Sequence, residues 1–271
     1  MQIARFFVNL LKNVTMTTKE EIVKNWLPRY TGKSLDSFGK YILLTNFQLY
    51  VDLFAEWNGV SVDGLEKNMS SATFDNITII NFGMGSPNAA TIIDLLSAVS
   101  PEALLFLGKC GGLKAKNKLG DLILPIAAIR SEGTSNDYLP PEVPALPAFM
   151  LQRAVSTSIR DAGRDYWTGT VLTTNKRVWE YDERFKKYVR KTRAMAMDME
   201  TATVFSVGFA NGIPSGALLL VSDQPMISTG IKTEESDKTV TEQYVSDHLR
   251  IGVESLQLIE RGGSSVKHLR F

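Results

Sequence analysis

Met197-Asp198-Met199-Glu200-Thr201-Ala202 stands between an apolar run with strand character and an Ala/Val/Phe-rich segment with helical character. Two acids and a methionine at a strand-to-helix turn are an odd choice for a core, because burying an unpaired carboxylate costs several kcal/mol. A site that grips sugar hydroxyls would justify that cost, since carboxylates accept hydrogen bonds from vicinal OH groups. Further on, Gly216-Ala217-Leu218-Leu219-Leu220-Val221 ends in Ser222-Asp223. This reads as a buried strand with an acid at its carboxyl end, where open α/β sheets place their chemistry.

Outward from these two acids the pattern alternates. Strands are expected over 41–45, 77–82, 103–107, 121–129, 166–174 and 194–197, with Pro125 marking a bend or an edge. A capping box at Thr17 or Thr18 with Glu20 or Glu21 starts a helix that Pro28 should end. An amphipathic helix over 47–57 stops at Gly59. Further helices are expected over 149–162, 182–191 and 241–261. The last buries Val245, Leu249, Gly252, Leu256 and Ile259 at 3.6-residue spacing. Several strands are apolar on both faces and alternate with helices, the signature of a mostly parallel sheet covered by helices. The expected fold is α/β, a single-domain three-layer αβα with a twisted, mostly parallel central sheet. Its boundaries are read as 17–262, between an N-terminal extension over 1–16 and a tail over 263–271.

Composition narrows the class. With 271 residues, 44% apolar and 22% charged, the chain can bury a full core. A net charge of +1 gives no reason to expect nucleic acid or an anionic membrane as partner. The lone Cys110 excludes an internal disulfide framework and points to a reducing, cytoplasmic setting. Only His248 and His268 are available, late in the chain, which argues against a zinc site or a Ser–His pair. No apolar run reaches the ~18 residues that span a bilayer. The opening stretch is a poor signal peptide, interrupted by Asn9, and Met16 is a candidate original start.

Three loops could carry chemistry. Gly83-Met84-Gly85-Ser86-Pro87 follows a strand and opens a helix, and fits either an anion site or a simple tight turn. It is no dinucleotide fingerprint: Asn88 holds the third glycine position and the residues about twenty further on are apolar. Gly108-Lys109-Cys110-Gly111-Gly112 is expected to be a glycine-rich loop after a buried strand, allowing close backbone approach to a ligand. Lys109 there is either a phosphate ligand or a solvated lysine, and Cys110 reads as a packed small residue. Thr173-Thr174-Asn175-Lys176-Arg177-Val178-Trp179 combines hydroxyls, a guanidinium and an indole, which suits a phosphorylated aromatic ligand. The alternative is a surface loop whose Trp179 packs back on the core. Met195 and Met197 read as one core-facing side of a strand. The loop over 131–147, rich in Pro, Gly, Ser and Asn, is long enough to be functional or an interface.

These elements in this order resemble the purine nucleoside phosphorylase and uridine phosphorylase superfamily. The carrying residues are Gly83-Met84-Gly85, Gly108-Lys109-Cys110-Gly111-Gly112-Leu113, Met197-Asp198-Met199-Glu200 and Ser222-Asp223. Gly169-Thr170-Val171-Leu172-Thr173-Thr174 with Arg177 and Trp179, Asp198 to Thr203, Val221 to Pro225 and Ser246 to Gly252 look like the AMP nucleosidases, in a short form with the catalytic domain alone.

The resemblance implies hydrolysis of AMP to adenine and ribose 5-phosphate without a cofactor or metal. It implies Asp223 as the acid at purine N7 and Glu200 as the ribose-hydroxyl ligand that also orients water. Met199 would lie against the sugar, with Asp198, Gly85, Gly111, Thr174, Trp179 and Ser222 completing the site. Phosphorylases of this type carry Ser or Thr where this chain has Lys109, and the hexameric purine enzymes carry Arg where it has Phe106. Both departures favour water over phosphate as nucleophile. Lys109 and Arg177 are then candidates for the substrate's own 5′-phosphate. The resemblance also implies a homo-oligomer, a hexamer built as a trimer of dimers. The apolar helix over 89–99 and the loop over 131–147 are candidate contacts, with internal burial the other reading. A rival function is a purine nucleoside phosphorylase or nucleosidase acting on unphosphorylated nucleosides, and a third is a non-catalytic nucleotide-binding module.

Overall fold

The structure, a computed structural model, describes residues 18–262. The extension over 1–16 and the tail over 263–271 lie outside the described residues. Eight strands form one sheet: β1 (Tyr41–Thr45), β2 (Ser70–Phe74), β3 (Ile77–Asn81), β4 (Ala103–Gly112), β5 (Leu122–Ser131), β6 (Tyr166–Thr174), β7 (Ala196–Asp198) and β8 (Ser215–Asp223). Their order is β2-β3-β1-β4-β7-β6-β5-β8, and β4 also pairs with β8. The strands β4, β7, β6, β5 and β8 therefore close into a ring at one end of the sheet. Pairs β1–β3, β1–β4, β4–β8, β5–β6 and β6–β7 are parallel; β2–β3, β4–β7 and β5–β8 are antiparallel. The sheet is mostly parallel, as the two-sided apolar strands predict.

Strand periodicity splits the core into two layers. Ile42, Leu44, Leu104 and Phe106 pack on one face with residues of α1 (Lys19–Thr31), α3 (Ser86–Leu96) and α6 (Thr201–Ala210). Tyr41, Leu43, Leu105 and Leu107 pack on the other with α2 (Gln48–Asn58), α4 (Phe149–Asp161) and α7 (Glu234–Arg261). Alternate side chains pointing to opposite faces produce this αβα arrangement directly. A smaller cluster of Leu172, Trp179, Val189 and Met197 packs under α5 (Glu183–Thr192).

Several local expectations change. The helix begun by the Thr18 capping box runs through Pro28 and stops at Gly32, whose φ of 71° makes the left-handed cap. Pro28 lies close enough to that end to be tolerated, and Gly32 N–H returns to Pro28 O at 2.8 Å. α7 starts at Glu234 rather than near 241, under a capping box of Thr233 and Ser236. Its added first turns are polar, with only Val240 buried, so apolar periodicity gave no signal there.

The glycine-rich stretch 108–112 is no loop but the end of β4. Its glycines answer crowding: a Cβ on Gly108 would lie 2.5 Å from the Phe106 ring, and one on Gly111 2.8 Å from Pro225. Pro125 does mark an irregularity, a register shift in the β5–β6 ladder. The short strand β2, rich in Ser and Thr, carries too little apolar patterning to be read in advance.

Of the two candidate contact regions, α3 buries Ala89, Ala90, Ile92, Ile93, Leu95 and Leu96 inside the molecule. The loop over 131–147 is held by Arg130, whose guanidinium donates to the carbonyls of Ser135 (2.8 Å), Leu139 (2.7 Å) and Val143 (2.8 Å).

Candidate functional site

β7 delivers Asp198 to the start of α6, and there the acid is absorbed by the fold. Asp198 Oδ2 accepts Thr201 N–H (2.7 Å), the Thr201 hydroxyl (2.5 Å) and Glu200 N–H (3.2 Å), while Oδ1 accepts the Thr173 hydroxyl (2.7 Å). Thr173 Oγ1 in turn accepts Ala202 N–H at 2.9 Å. Asp198 lines the cavity described below, yet both of its oxygens satisfy a helix N-terminus and a strand-end hydroxyl.

Glu200 is 2% exposed, and its carboxylate accepts Gly85 N–H at 2.8 Å, Met199 N–H at 3.2 Å and the Asn46 side-chain amide at 3.4 Å. The start of α3 thus takes the protein's own anion. Gly85 has φ 94° and ψ 157°, a conformation open to glycine alone, and this aims its N–H at Glu200. Burial, then the charge of Asp198, pushes Glu200 up to about 8. Burial lifts Asp198 as well, but the four donors aimed at it favour its ionised form, so Glu200 is the partner that holds the proton.

Asp223 ends β8. Burial raises its pKa; the Ser222 hydroxyl, donating to Oδ1 at 2.8 Å, and the charges of Lys232 and Arg177 pull it back, while Glu180 pushes it up. Gly111 leaves room for it, since a Cβ there would lie 3.3 Å from Asp223 Oδ2. Asp223 and Glu200 face one open cavity of about 690 Å³, counted out to solvent at its mouth.

Its walls include Lys109, Gly111, Thr174, Arg177, Trp179, Asp198, Met199 and Ser222. Of the site residues implied by the resemblance, Gly85 alone is not in the wall and acts through Glu200. Trp179 is 4% exposed and packs edge-on against Phe185 at 5.5 Å between ring centroids, so it shapes the wall from the core. Lys109 is not solvated. Its Nζ donates to Asp237 Oδ1 (2.9 Å) and the Thr241 hydroxyl (2.8 Å) and lies 4.8 Å over the Phe47 ring. Arg177 stays half-exposed, 3.7 Å from Glu180. Cys110 is buried, its thiol pushed up by burial, as a packed small residue should be.

Asn46, Phe47, Glu180, Pro225 and Lys232 also line the cavity and were not read from the sequence. Asn46 and Phe47 directly follow β1, and the strand-end rule applied to that strand would have found them. Lys232, in the connection before α7, carries no local signal. Among the described residues no group of three or more His, Cys, Asp or Glu side chains is placed to hold a metal ion.

The sequence pattern of the Phosphorylase superfamily matches residues 40–257. The chain belongs to this superfamily. The crystal structure of AMP nucleosidase from Bacteroides thetaiotaomicron VPI-5482 superposes with a TM-score of 0.83 at 56% identity, over 92% of this chain and 100% of that one. AMP nucleosidase of Escherichia coli K12 is 29% identical over 284 residues, 88% of this chain and 58% of the relative. The chain therefore spans just over half the length of that relative. Uridine phosphorylase from Vibrio fischeri ES114, with a TM-score of 0.72 at 20% identity over 82% of this chain and 94% of its own, shares the superfamily fold. No helix among the described residues is long and apolar enough to cross a membrane.

Proposed function

We propose that the chain hydrolyses the N-glycosidic bond of AMP to give adenine and ribose 5-phosphate. The observation that carries this reading is the pairing of Asp223 and Glu200 across one cavity, each with its carboxyl biased by burial toward the protonated form. Likeness to the two AMP nucleosidases supports AMP as the substrate. Asp223 gives its proton to purine N7 as the C1′–N9 bond breaks and its electron pair moves into the base. Acid assistance of this kind contributes roughly 10²–10⁴-fold. Glu200 holds the ribose hydroxyls and orients the water that attacks C1′, where cationic character develops. The proton that water releases returns Asp223 to its acid form, so atoms and charge balance.

Two features support water over phosphate. Phe106 lies in the core against Phe82, 5.8 Å between centroids, and offers no anion a partner. Lys109 stands where phosphorylases of this superfamily carry the Ser or Thr that holds the attacking phosphate, and its ammonium is turned instead toward Asp237 and Thr241. In this reading residues 17–262 act as one catalytic domain, in purine salvage in the cytoplasm, assembled as a homohexamer of three dimers. Light scattering coupled to size exclusion tests the assembly.

The deciding experiment is adenine release from AMP and from adenosine, each with and without phosphate. Release from AMP that ignores phosphate and disappears in Asp223→Asn is the expected result. Turnover of adenosine only with phosphate present overturns it in favour of a phosphorylase.

A further inference from the structure

Two lysines from separate elements converge on one oxygen beside the cavity. Lys109 of β4 and Lys232 of the connection before α7 both reach Asp237 Oδ1, at 2.9 Å and 2.8 Å. Both lysines line the cavity; Asp237 does not. The other cavity-lining bases have acids of their own, Lys176 with Asp182 at 2.7 Å and Arg177 with Glu180 at 3.7 Å. One carboxylate against two ammonium groups leaves this cluster a positive charge in excess at the cavity wall. The Lys109 side chain is 5% exposed, so exchanging its acid for water would strand a desolvated cation. An incoming anion would compensate that charge in place of the acid.

The cluster also lies next to the sugar-binding acid. Asn46 donates to Glu200 at 3.4 Å, and the following residue, Phe47, lies under Lys109 Nζ. A ligand whose ribose hydroxyls meet Glu200 can carry its 5′ substituent to the lysine pair. Asp237, on the first turn of α7 with a side chain 38% exposed, has solvent to swing into.

We infer that Lys109 and Lys232 form the subsite for the 5′-phosphate, and that Asp237 occupies this subsite as an internal competitor which the phosphate displaces. This rests on the AMP reading above. A phosphate monoester carries about −1.5 to −2 charge with several acceptor oxygens, enough to serve both ammonium groups at once, whereas a nucleoside without phosphate leaves Asp237 in place. The pair therefore selects nucleotides over nucleosides.

The test is calorimetric titration of AMP and of adenosine into protein carrying Asp223→Asn to stop turnover, alone and combined with Lys232→Met or Asp237→Asn. Lys232→Met should weaken AMP about tenfold and leave adenosine within about twofold. Asp237→Asn should tighten AMP about three- to tenfold, again without effect on adenosine. Equal effects on both ligands, no effect of Lys232→Met, or weaker AMP binding in Asp237→Asn overturns the subsite. Cleavage by the wild-type protein separates the two readings. AMP that binds with this pattern but is not cleaved overturns the nucleosidase alone. AMP that is cleaved but bound equally well by Lys232→Met overturns the subsite alone.

Discussion

Glu200 accepts the backbone N–H of Gly85 at 2.8 Å across 115 residues of sequence. This bond ties the start of α3 to the start of α6 and leaves a carboxyl of raised pKa at the cavity wall. The arrangement has a pH signature. A group with a folded pKa of about 8 and an ordinary value of 4.5 keeps its proton longer in the folded state. Stability therefore falls as pH rises between those values, by at most about 1.4 kcal/mol per pH unit for one proton. Thermal melts from about pH 6.5 to about pH 8 should show Tm falling in the wild type. Glu200→Gln should flatten that slope, though its Tm drops overall because an amide cannot accept from both Gly85 and Met199. Equal slopes in both proteins would remove the proton from Glu200.

Gly85→Ala tests the geometry behind the same bond. Space is no obstacle, since a Cβ there meets only Pro87 Cδ at 3.9 Å. The cost is backbone conformation, about 1–3 kcal/mol at this φ and ψ. A lower Tm together with a higher KM for AMP is expected. An unchanged Tm would show that the turn relaxes freely.

Gly111→Ala tests the opposite cause. Here the backbone is ordinary, but the added methyl would come within 2.8 Å of Pro225 and 3.3 Å of Asp223 Oδ2. The expected result is a fall in kcat of about tenfold or more, from a misplaced acid, together with a lower Tm, because the ring of Pro225 must shift. A large Tm loss with kcat preserved would place the strain in the sheet instead.

Asp198→Asn should destabilise more than either glycine change, by about 2–5 kcal/mol, because an amide NH₂ would face donors that now meet a carboxylate. It should also bring the Glu200 pKa down, since the nearby charge of Asp198 helps to raise it. Urea unfolding measures the first effect and the pH slope of Tm the second.

Behind Phe47 of the cavity wall, whose ring lies 6.0 Å from that of Tyr50, His248 Nδ1 pairs with the Tyr50 hydroxyl at 2.8 Å and Nε2 with the Leu218 carbonyl at 3.0 Å. Burial lowers its pKa to about 4, so it is neutral and joins α2 and α7 to β8. Protons bind more readily to the unfolded chain, and stability from this residue is lost as pH falls from about 6.5 toward 4. His248→Leu should remove that acid sensitivity and cost about 2–4 kcal/mol by leaving two buried polar groups unpaired. An unchanged urea midpoint would contradict it.

Much of this molecule was legible in one dimension. The two-sided apolar strands 41–45, 103–107 and 216–221 carry the parallel sheet, and the stripe from Val245 to Ile259 on α7 is buried throughout. Acids at the ends of two such strands marked the cavity. These features are local, because a residue's period and its neighbours suffice to define them.

What only the tertiary structure decided is which charges remain for a ligand. Asp198 and Glu200 look equivalent in the chain, yet Asp198 commits one oxygen to the start of α6 and the other to the Thr173 hydroxyl, while Glu200 turns to Gly85 and Asn46 at the cavity wall. Lys109 reads as a solvated or ligand-binding lysine until α7, about two turns longer than its apolar pattern implies, brings Asp237 against it. The ring β4-β7-β6-β5-β8 depends on β4 pairing with three other strands, and no single segment encodes that. Hydrophobic period is a property of consecutive residues and survives in the sequence. The partner of a buried charge is set by which distant backbone donor or counter-ion the fold brings within about 3 Å, and that is settled only when the layers close.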